Sequence, residues 1–388
     1  LKNRKRTYIY ILAIFLAAIN LRMGITSISP LLETIRKDLN MSNFTVSFLT
    51  SIPVLCMGVF ALLTGKVYKR WGTEKAIVVC LLLIGAATFM RSFTSSVLPL
   101  LITALLIGIG IGLIGPLLSG FIKERFPTKI GLMIGINTFG MVAGVALSSG
   151  ITVPLQHEFK GSWNMALAFW GIFAIVALFF WFSIMKEDKG TRTHDRQNNR
   201  LPLKNKKARL FTLFFGLQAG IFYFVTTWFA PAIQSTGASS QQAGALITLF
   251  TLVQMVFTFV IPTLADYYKN RAFWFLGSLC FVLVGLLFMV NPLTTPWLSS
   301  ILLGIGLGGL FPLALMLPLN AVKTSADAGA WSAMMQSGGY IIGGIIPILA
   351  GVIRDFFHGH QQGFIIMALL CVILMIFILR PSFLKQDD

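Results

Sequence analysis

Apolar residues in this chain come in long unbroken runs separated by short polar stretches. The runs fall near 8–33, 43–64, 75–92, 96–122, 128–154, 163–185, 209–233, 239–264, 272–291, 295–319, 328–353 and 362–380. Each approaches the roughly 20 residues that an α-helix needs to cross a bilayer. Lipid-facing strands would be about half as long and would alternate strictly. The pattern predicts an all-α integral membrane protein with twelve transmembrane helices. The first run is too long for a signal peptide and lacks a small-residue cleavage site, so it is expected to remain as a helix.

Composition agrees. Of 388 residues, 56% are hydrophobic and 11% charged, with mean hydropathy +0.81. Soluble domains carry about 25% charged residues, so the chain belongs with polytopic membrane proteins. The formal net charge of +18 would suit a polynucleotide, but its distribution points elsewhere. With the N-terminus in the cytoplasm, 25 of the 31 Lys/Arg lie in cytoplasmic segments and five in the opposite loops, leaving Arg22 within a span. That asymmetry is the positive-inside rule. It predicts both termini in the cytoplasm and a basic surface facing anionic lipid headgroups, with no nucleic-acid partner.

The longest polar interruption, 186–209, contains nine Lys/Arg. It divides the chain into an N-terminal six-helix bundle (1–185), a cytoplasmic basic linker (186–208) and a C-terminal six-helix bundle (209–388). The two halves echo one another. Gly108, Gly110 and Gly112 with Pro116 answer Gly304, Gly306 and Gly308 with Pro312 at an offset of 196. Asn137, Gly140 and Gly144 answer Gln336, Gly339 and Gly343 at 199, and Asn20 falls on Gln218 at 198. Three matches at nearly constant offset point to internal duplication. Small residues at this spacing let membrane helices approach closely. No strand precedes the glycine strings, so they are not dinucleotide loops. Prolines at 53, 116, 312, 318 and 347 permit kinks.

Arg22 stands near the middle of the first run. A guanidinium in hydrocarbon is costly, and such a residue normally faces a protein interior or a water-filled cavity. Its alternatives are an anionic or strongly dipolar substrate or a structural role satisfied by helix-end carbonyls. Glu33, the only acid on that run, would lie about 16 Å away on a straight helix. Amides sit near the middle of other spans: Asn20 in the first, Asn137 in the fifth, Gln218 in the seventh, Gln254 in the eighth and Gln336 in the eleventh. Each could bind solute or join two helices. Thr26 lies one turn beyond Arg22, and Tyr340 shares a helix face with Gln336. Tyr223 and Tyr340 are candidates for a pocket wall, whereas Trp228 near a helix end reads as an interfacial anchor. Arg91, closing the third span, reads as a side chain snorkelling to the interface, the alternative being a guard at the extracellular entrance.

Nothing in the chain suggests catalysis. His157, His194, His358 and His360 lie in loops or at helix ends, without a metal-site or catalytic-dyad pattern. Cys56, Cys80, Cys280 and Cys371 lie inside spans and read as packing. No catalytic residue, metal or cofactor is expected. An enzyme would need clustered acid, base or metal ligands, a receptor an extramembrane sensing domain, and an ATP-driven pump a P-loop.

The segment Gly65-Lys66-Val67-Tyr68-Lys69-Arg70-Trp71-Gly72 resembles the loop signature of major facilitator transporters, Gly-x-x-x-Asp-Arg-x-Gly, with Lys69 where the acid usually stands. Pro262-Thr263-Leu264-Ala265-Asp266 resembles its second-half remnant. Asn20-Leu21-Arg22 with Thr26-Ser27 and Pro30-Leu31-Leu32 is similar to the opening of the cyanate/2-nitroimidazole transporter branch. Gly216-Leu217-Gln218 with Phe222-Tyr223, and Ser332-Ala333-Met334 with Gln336-Ser337 and Gly339-Tyr340, extend the likeness across the chain. The resemblance implies the major facilitator fold, two pseudo-symmetric bundles with a midplane site between them, and alternating access.

It also implies gating residues. Asp266 would face the start of the fifth span near Gly131, a favourable charge–dipole contact, and Asp327 would bind Lys69 or Arg70 in place of the missing acid. The function expected is secondary transport of a small anionic or polar solute, with Arg22 and the midplane amides and aromatics in the site. The alternative is a proton-coupled exporter of small heteroaromatic compounds or drugs. The antiporter Gly-Pro signature is absent from the fifth span and no acid sits mid-span, which favours the first. The expected setting is a bacterial cytoplasmic membrane, as a monomer, with a coupling proton left open.

Overall fold

A computed structural model describes residues 2–126, 129–187, 201–268, 270–290, 296–322, 325–380 and 383. All described regular structure is helical. Twelve of these helical stretches are long and apolar enough to cross a membrane. Residues 188–200 of the basic linker lie outside the described residues.

The chain forms two compact units, one of Leu1–Met41 with Phe48–Asp195 and one of Ser42–Ser47 with Arg196–Asp388. The first holds α1 (Lys2–Thr26), α2 (Leu32–Asp38), most of α3 (Asn43–Ala61), α4 (Thr64–Trp71), α5 (Thr73–Met90), α6 (Val97–Arg125), α7 (Ile130–Glu158), α8 (Trp163–Phe169) and α9 (Gly171–Glu187). The second holds α10 (Lys206–Gln234), α11 (Ser240–Tyr268), α12 (Arg271–Val290), α13 (Pro296–Ala321), α14 (Ser325–Phe357) and α15 (Gln361–Leu379).

Two runs that read as single helices are broken. The first is interrupted by a 3-10 turn at Ser29–Leu31, where Pro30 has no N–H to continue α1. The sixth is split at Trp170 into α8 and α9. The signature segment that reads as a loop is helical. It forms α4 and stops at Gly72, whose φ of 78° belongs to a residue without a Cβ.

Within each unit the glycine strings do the same work. A Cβ on Gly112 would lie 2.6 Å from the carbonyl oxygen of Cys56, and one on Gly308 would lie 2.7 Å from that of Gln254. Gly110 faces Cys80 and Ile84, and Gly306 faces Ser278 and Val282; the glycines are 196 residues apart and their partners 198. The duplication in the sequence is thus repeated in the packing: α6 on α3 and α5 in one unit, α13 on α11 and α12 in the other. Around these contacts the first unit buries Trp181, whose indole N–H donates to the Ala13 carbonyl at 2.9 Å and whose ring meets Phe121 at 4.9 Å. In the second, Phe214 packs on Phe275 and Phe224 on Phe364.

The first residues of α3 are grouped with the second unit. There the Asp355 carboxylate of α14 accepts the backbone N–H groups of Asn43 and Phe44, each at 2.8 Å, and Asn43 Nδ2 at 2.7 Å. A negative side chain satisfies donors that a helix start leaves open.

Candidate functional site

In the first unit, α1 carries the charge. Every residue from Leu16 to Leu32 is buried except Arg22, which is half-buried and so reaches accessible space. Glu33, the acid nearest in sequence, is ion-paired with Arg36 at 3.0 Å. Asn20 is buried, and its Nδ2 donates to the Leu16 carbonyl of its own helix at 2.7 Å. The Thr26 hydroxyl lies 2.9 Å from the Arg22 carbonyl and 2.7 Å from the Ser148 hydroxyl. Ser148 belongs to a chain of polar contacts: its carbonyl accepts from Thr152 Oγ1, which accepts Trp170 Nε1–H at 2.9 Å. Thr26 therefore joins α1 to α7 beside Arg22.

The α1–α7 register places the fifth-span amide. Gly140 meets Phe15 and Ala18, Gly144 meets Ile19, and Ser148 meets Thr26, so the helices run parallel. Asn137, a turn before Gly140, stands level with the residues preceding Phe15. It is therefore two to three helical turns, on the order of 13 Å, from Arg22 along α1. Its Oδ1 is buried without a hydrogen-bond partner. The two residues share a pair of helices but not a level.

The second unit brings aromatics together instead. Tyr340 of α14 packs edge-on to Phe215 at 5.4 Å and to Tyr223 at 6.5 Å, both on α10. Phe311 of α13 and Phe250 of α11 extend the cluster through Phe215 and Phe222. Tyr223 and Phe215 are buried, while Phe222, Phe311 and Tyr340 are half-exposed. Gln218 is one turn from both Phe215 and Phe222. It is buried, and its Oε1 has no hydrogen-bond partner. Gln336 and Gln254 are half-buried. Asn20 and Gln218, matched in sequence, thus differ in bonding: one amide is tied to its own helix, and the other keeps a bare end.

Trp228 is buried rather than interfacial. Its indole N–H donates to the Pro347 carbonyl at 3.0 Å, and Arg354 lies 5.2 Å over its ring. Arg91 is also corrected: it is fully buried, with Nη1 donating to the Gly24 carbonyl at 3.0 Å. Thr94, Thr103 and Asn164 stand around it, but only Thr94 is near it in the chain, so this burial does not show in the sequence. Phe215 and Phe311 were not singled out, because no spacing separates them from the rest of the 34 Phe of the chain. Of the four cysteines, three are buried and Cys280 is exposed. Among the described residues no cluster of His, Cys, Asp or Glu could hold a metal.

Of the expected gating residues, Lys69 and Arg70 are exposed in the last turn of α4, and Asp327 is exposed in the first turn of α14. Asp266 lies near the end of α11, with its side chain outside the described residues.

The family profile of the Major Facilitator Superfamily matches residues 13–232 and 210–386. The chain belongs to the major facilitator superfamily. This transporter is 32% identical to the cyanate transport protein CynX of Escherichia coli (strain K12) over 371 residues, covering 95% of this chain and 96% of that one. It is 31% identical to the 2-nitroimidazole transporter of the same organism over 382 residues, covering 96% and 95%. Among solved structures it resembles a D-xylose–proton symporter, with a TM-score of 0.77 at 16% identity over 98% of each chain. It is a multi-pass secondary transporter of a small solute, and not an enzyme.

Proposed function

We propose that the transporter moves a small anionic or polar solute by alternating access and that Arg22 is its charge-recognising residue. The carrying observation is that Arg22 alone, in an otherwise buried stretch of α1, reaches accessible space. In a low-dielectric setting a guanidinium fork binds an anion through strong, directed hydrogen bonds. Similarity to a cyanate transporter supports a solute of that size and charge. Gln218 would supply further hydrogen bonds, with Gln254 and Gln336 as half-buried partners, whereas Asn137 stands too far along α1 to share a small solute with Arg22. Asn20 and Thr26 hold the α1 backbone that presents Arg22. Lys69, Arg70, Asp266 and Asp327 are assigned to gating. The positive-inside distribution of charge supports both termini in the cytoplasm.

One observation favours a second reading. The cluster of Tyr223, Tyr340, Phe222 and Phe311 suits a flat heteroaromatic ring, and a relative transports 2-nitroimidazole. The test is uptake of cyanate and of 2-nitroimidazole into proteoliposomes by the parent and Arg22→Ala. Loss of cyanate flux alone supports charge recognition. Loss confined to 2-nitroimidazole supports the second reading, and unchanged flux of both removes Arg22 from the site.

A further inference from the structure

Arg91 sits where the third span ends in a short 3-10 turn, Arg91–Phe93. Its polar contacts account for only part of the guanidinium. Nη1 donates to the Gly24 carbonyl at 3.0 Å, and Nε lies 3.4 Å from the Thr103 hydroxyl. The Gly24 contact has a clear structural purpose. Because α1 stops at Thr26, the N–H of Ile28 turns to Ile25 rather than Gly24, leaving the Gly24 carbonyl open. A cation there satisfies it and opposes the helix dipole.

That role explains Nη1 but not Nη2. The side chain is 0% exposed, Nη2 has no hydrogen-bond partner, and among the described residues no carboxylate pairs with it. The Ser27 hydroxyl, three residues beyond Gly24 at the same end of α1, is equally buried and equally without a partner. Gly24 and Ser27, three residues apart, share a helix face, which puts the Ser27 hydroxyl on the side of α1 that Arg91 meets. A buried polar group left unbonded is uncommon and calls for an explanation, and a buried charge calls for one more strongly. Both groups can donate, and neither is balanced by negative charge. A small anion would engage both donors and balance the charge.

We infer that Arg91 Nη2 and Ser27 Oγ form a second anion subsite beyond Arg22, near the end of α1. The inference rests on the reading that the transported solute is a small anion. The subsite would hold such an anion at the end of α1, on a helix face turned away from Arg22, because residues two apart do not share a face.

The test is equilibrium dialysis of labelled thiocyanate, an unreactive linear anion, against the purified full chain in gluconate buffer. The parent is expected to bind two anions per chain. Arg22→Ala and Arg91→Gln should each bind one. Glutamine keeps an N–H for the Gly24 carbonyl, and thermal unfolding reports whether that variant folds. Ser27→Ala, a milder change, should weaken one of the two sites about tenfold, as loss of a hydrogen bond to a charged group does. Two-site binding unchanged in Arg91→Gln and Ser27→Ala would overturn the subsite. One site in the parent, lost only in Arg22→Ala, would also overturn it while leaving the proposed function intact. A site lost only in Arg91→Gln and Ser27→Ala would keep the subsite and remove Arg22 instead. No binding by the parent would sink both.

Discussion

The α1–α7 pair of the first unit and the α10–α14 pair of the second are built on one plan and furnished differently. In both, a glycine pair spaced by four brings parallel helices close: Gly140 and Gly144 in one, Gly339 and Gly343 in the other. The first pair is lined with hydrogen-bonding groups and charge, from Arg22 through Thr26 to Ser148. The second is lined with rings, Phe215 and Tyr223 against Tyr340. Duplication thus preserved the close backbone approach at these glycines, with α1 carbonyls against Gly140 and Gly144 and the Gly216 and Gly220 nitrogens of α10 against Gly339 and Gly343. It left the side chains aimed away from those contacts free to diverge. On this account the first unit reads charge and the second reads shape.

The sharpest way to break the comparison is to attack what the units share. Gly306→Val places a side chain where a Cβ would already meet the Ser278 carbonyl at 2.5 Å. Backbone cannot yield as a side-chain tip does, so a destabilisation of about 3 kcal/mol is expected. The matched Gly110→Val should cost less, because its carbonyl neighbour, that of Cys80, is 3.1 Å away and its nearest atom is the flexible Ile84 side chain. Thermal unfolding of the two purified variants gives the ranking. Equal losses would mean that the two contacts carry the same load, and would contradict this ranking.

A second experiment separates charge from shape. Tyr340→Ala removes the ring joining Phe215 to Tyr223, and aromatic contacts of this kind are worth about 0.5–1.5 kcal/mol. Flux of 2-nitroimidazole should fall about three- to tenfold in proteoliposomes while thiocyanate flux stays within twofold. Equal losses for both solutes would remove the division of labour. The smallest effect is expected at Thr26. Replacing it with Val breaks the tie between α1 and α7 and should lower stability by about 0.6 kcal/mol, the average for an interhelical bond in a membrane. The concentration dependence of uptake should not move. A shift in half-saturation without a shift in unfolding temperature would place the hydroxyl on the solute.

Much of this frame is legible in the sequence. Run lengths set by bilayer thickness yield the twelve spans, and glycine strings at constant offset reveal the repeat. Both signals survive because they come from many residues acting alike. What escapes is decided by single contacts. Pro30 marks a break inside the first run, yet nothing in the run says that the resulting open carbonyl at Gly24 will be met by Arg91 from another span. A residue at a span end can snorkel outward or turn inward, and the 3-10 turn at Arg91–Phe93 decides the matter. Thr26 likewise shares a face with Arg22, as i,i+4 spacing requires, but Ser148 supplies the partner that engages its hydroxyl. The aromatic cluster was half visible: Tyr223 and Tyr340 stand out as rare residue types, whereas Phe215 and Phe311 are lost among many phenylalanines.

The most direct test of the central assignment is a crystal structure with selenocyanate, whose selenium marks the anion by anomalous scattering. The account predicts a selenium peak in contact with the Arg22 guanidinium, absent in Arg22→Ala crystals grown in the same way. A peak held by other residues, with Arg22 remote from it and the Arg22→Ala crystals still showing it, would contradict the account.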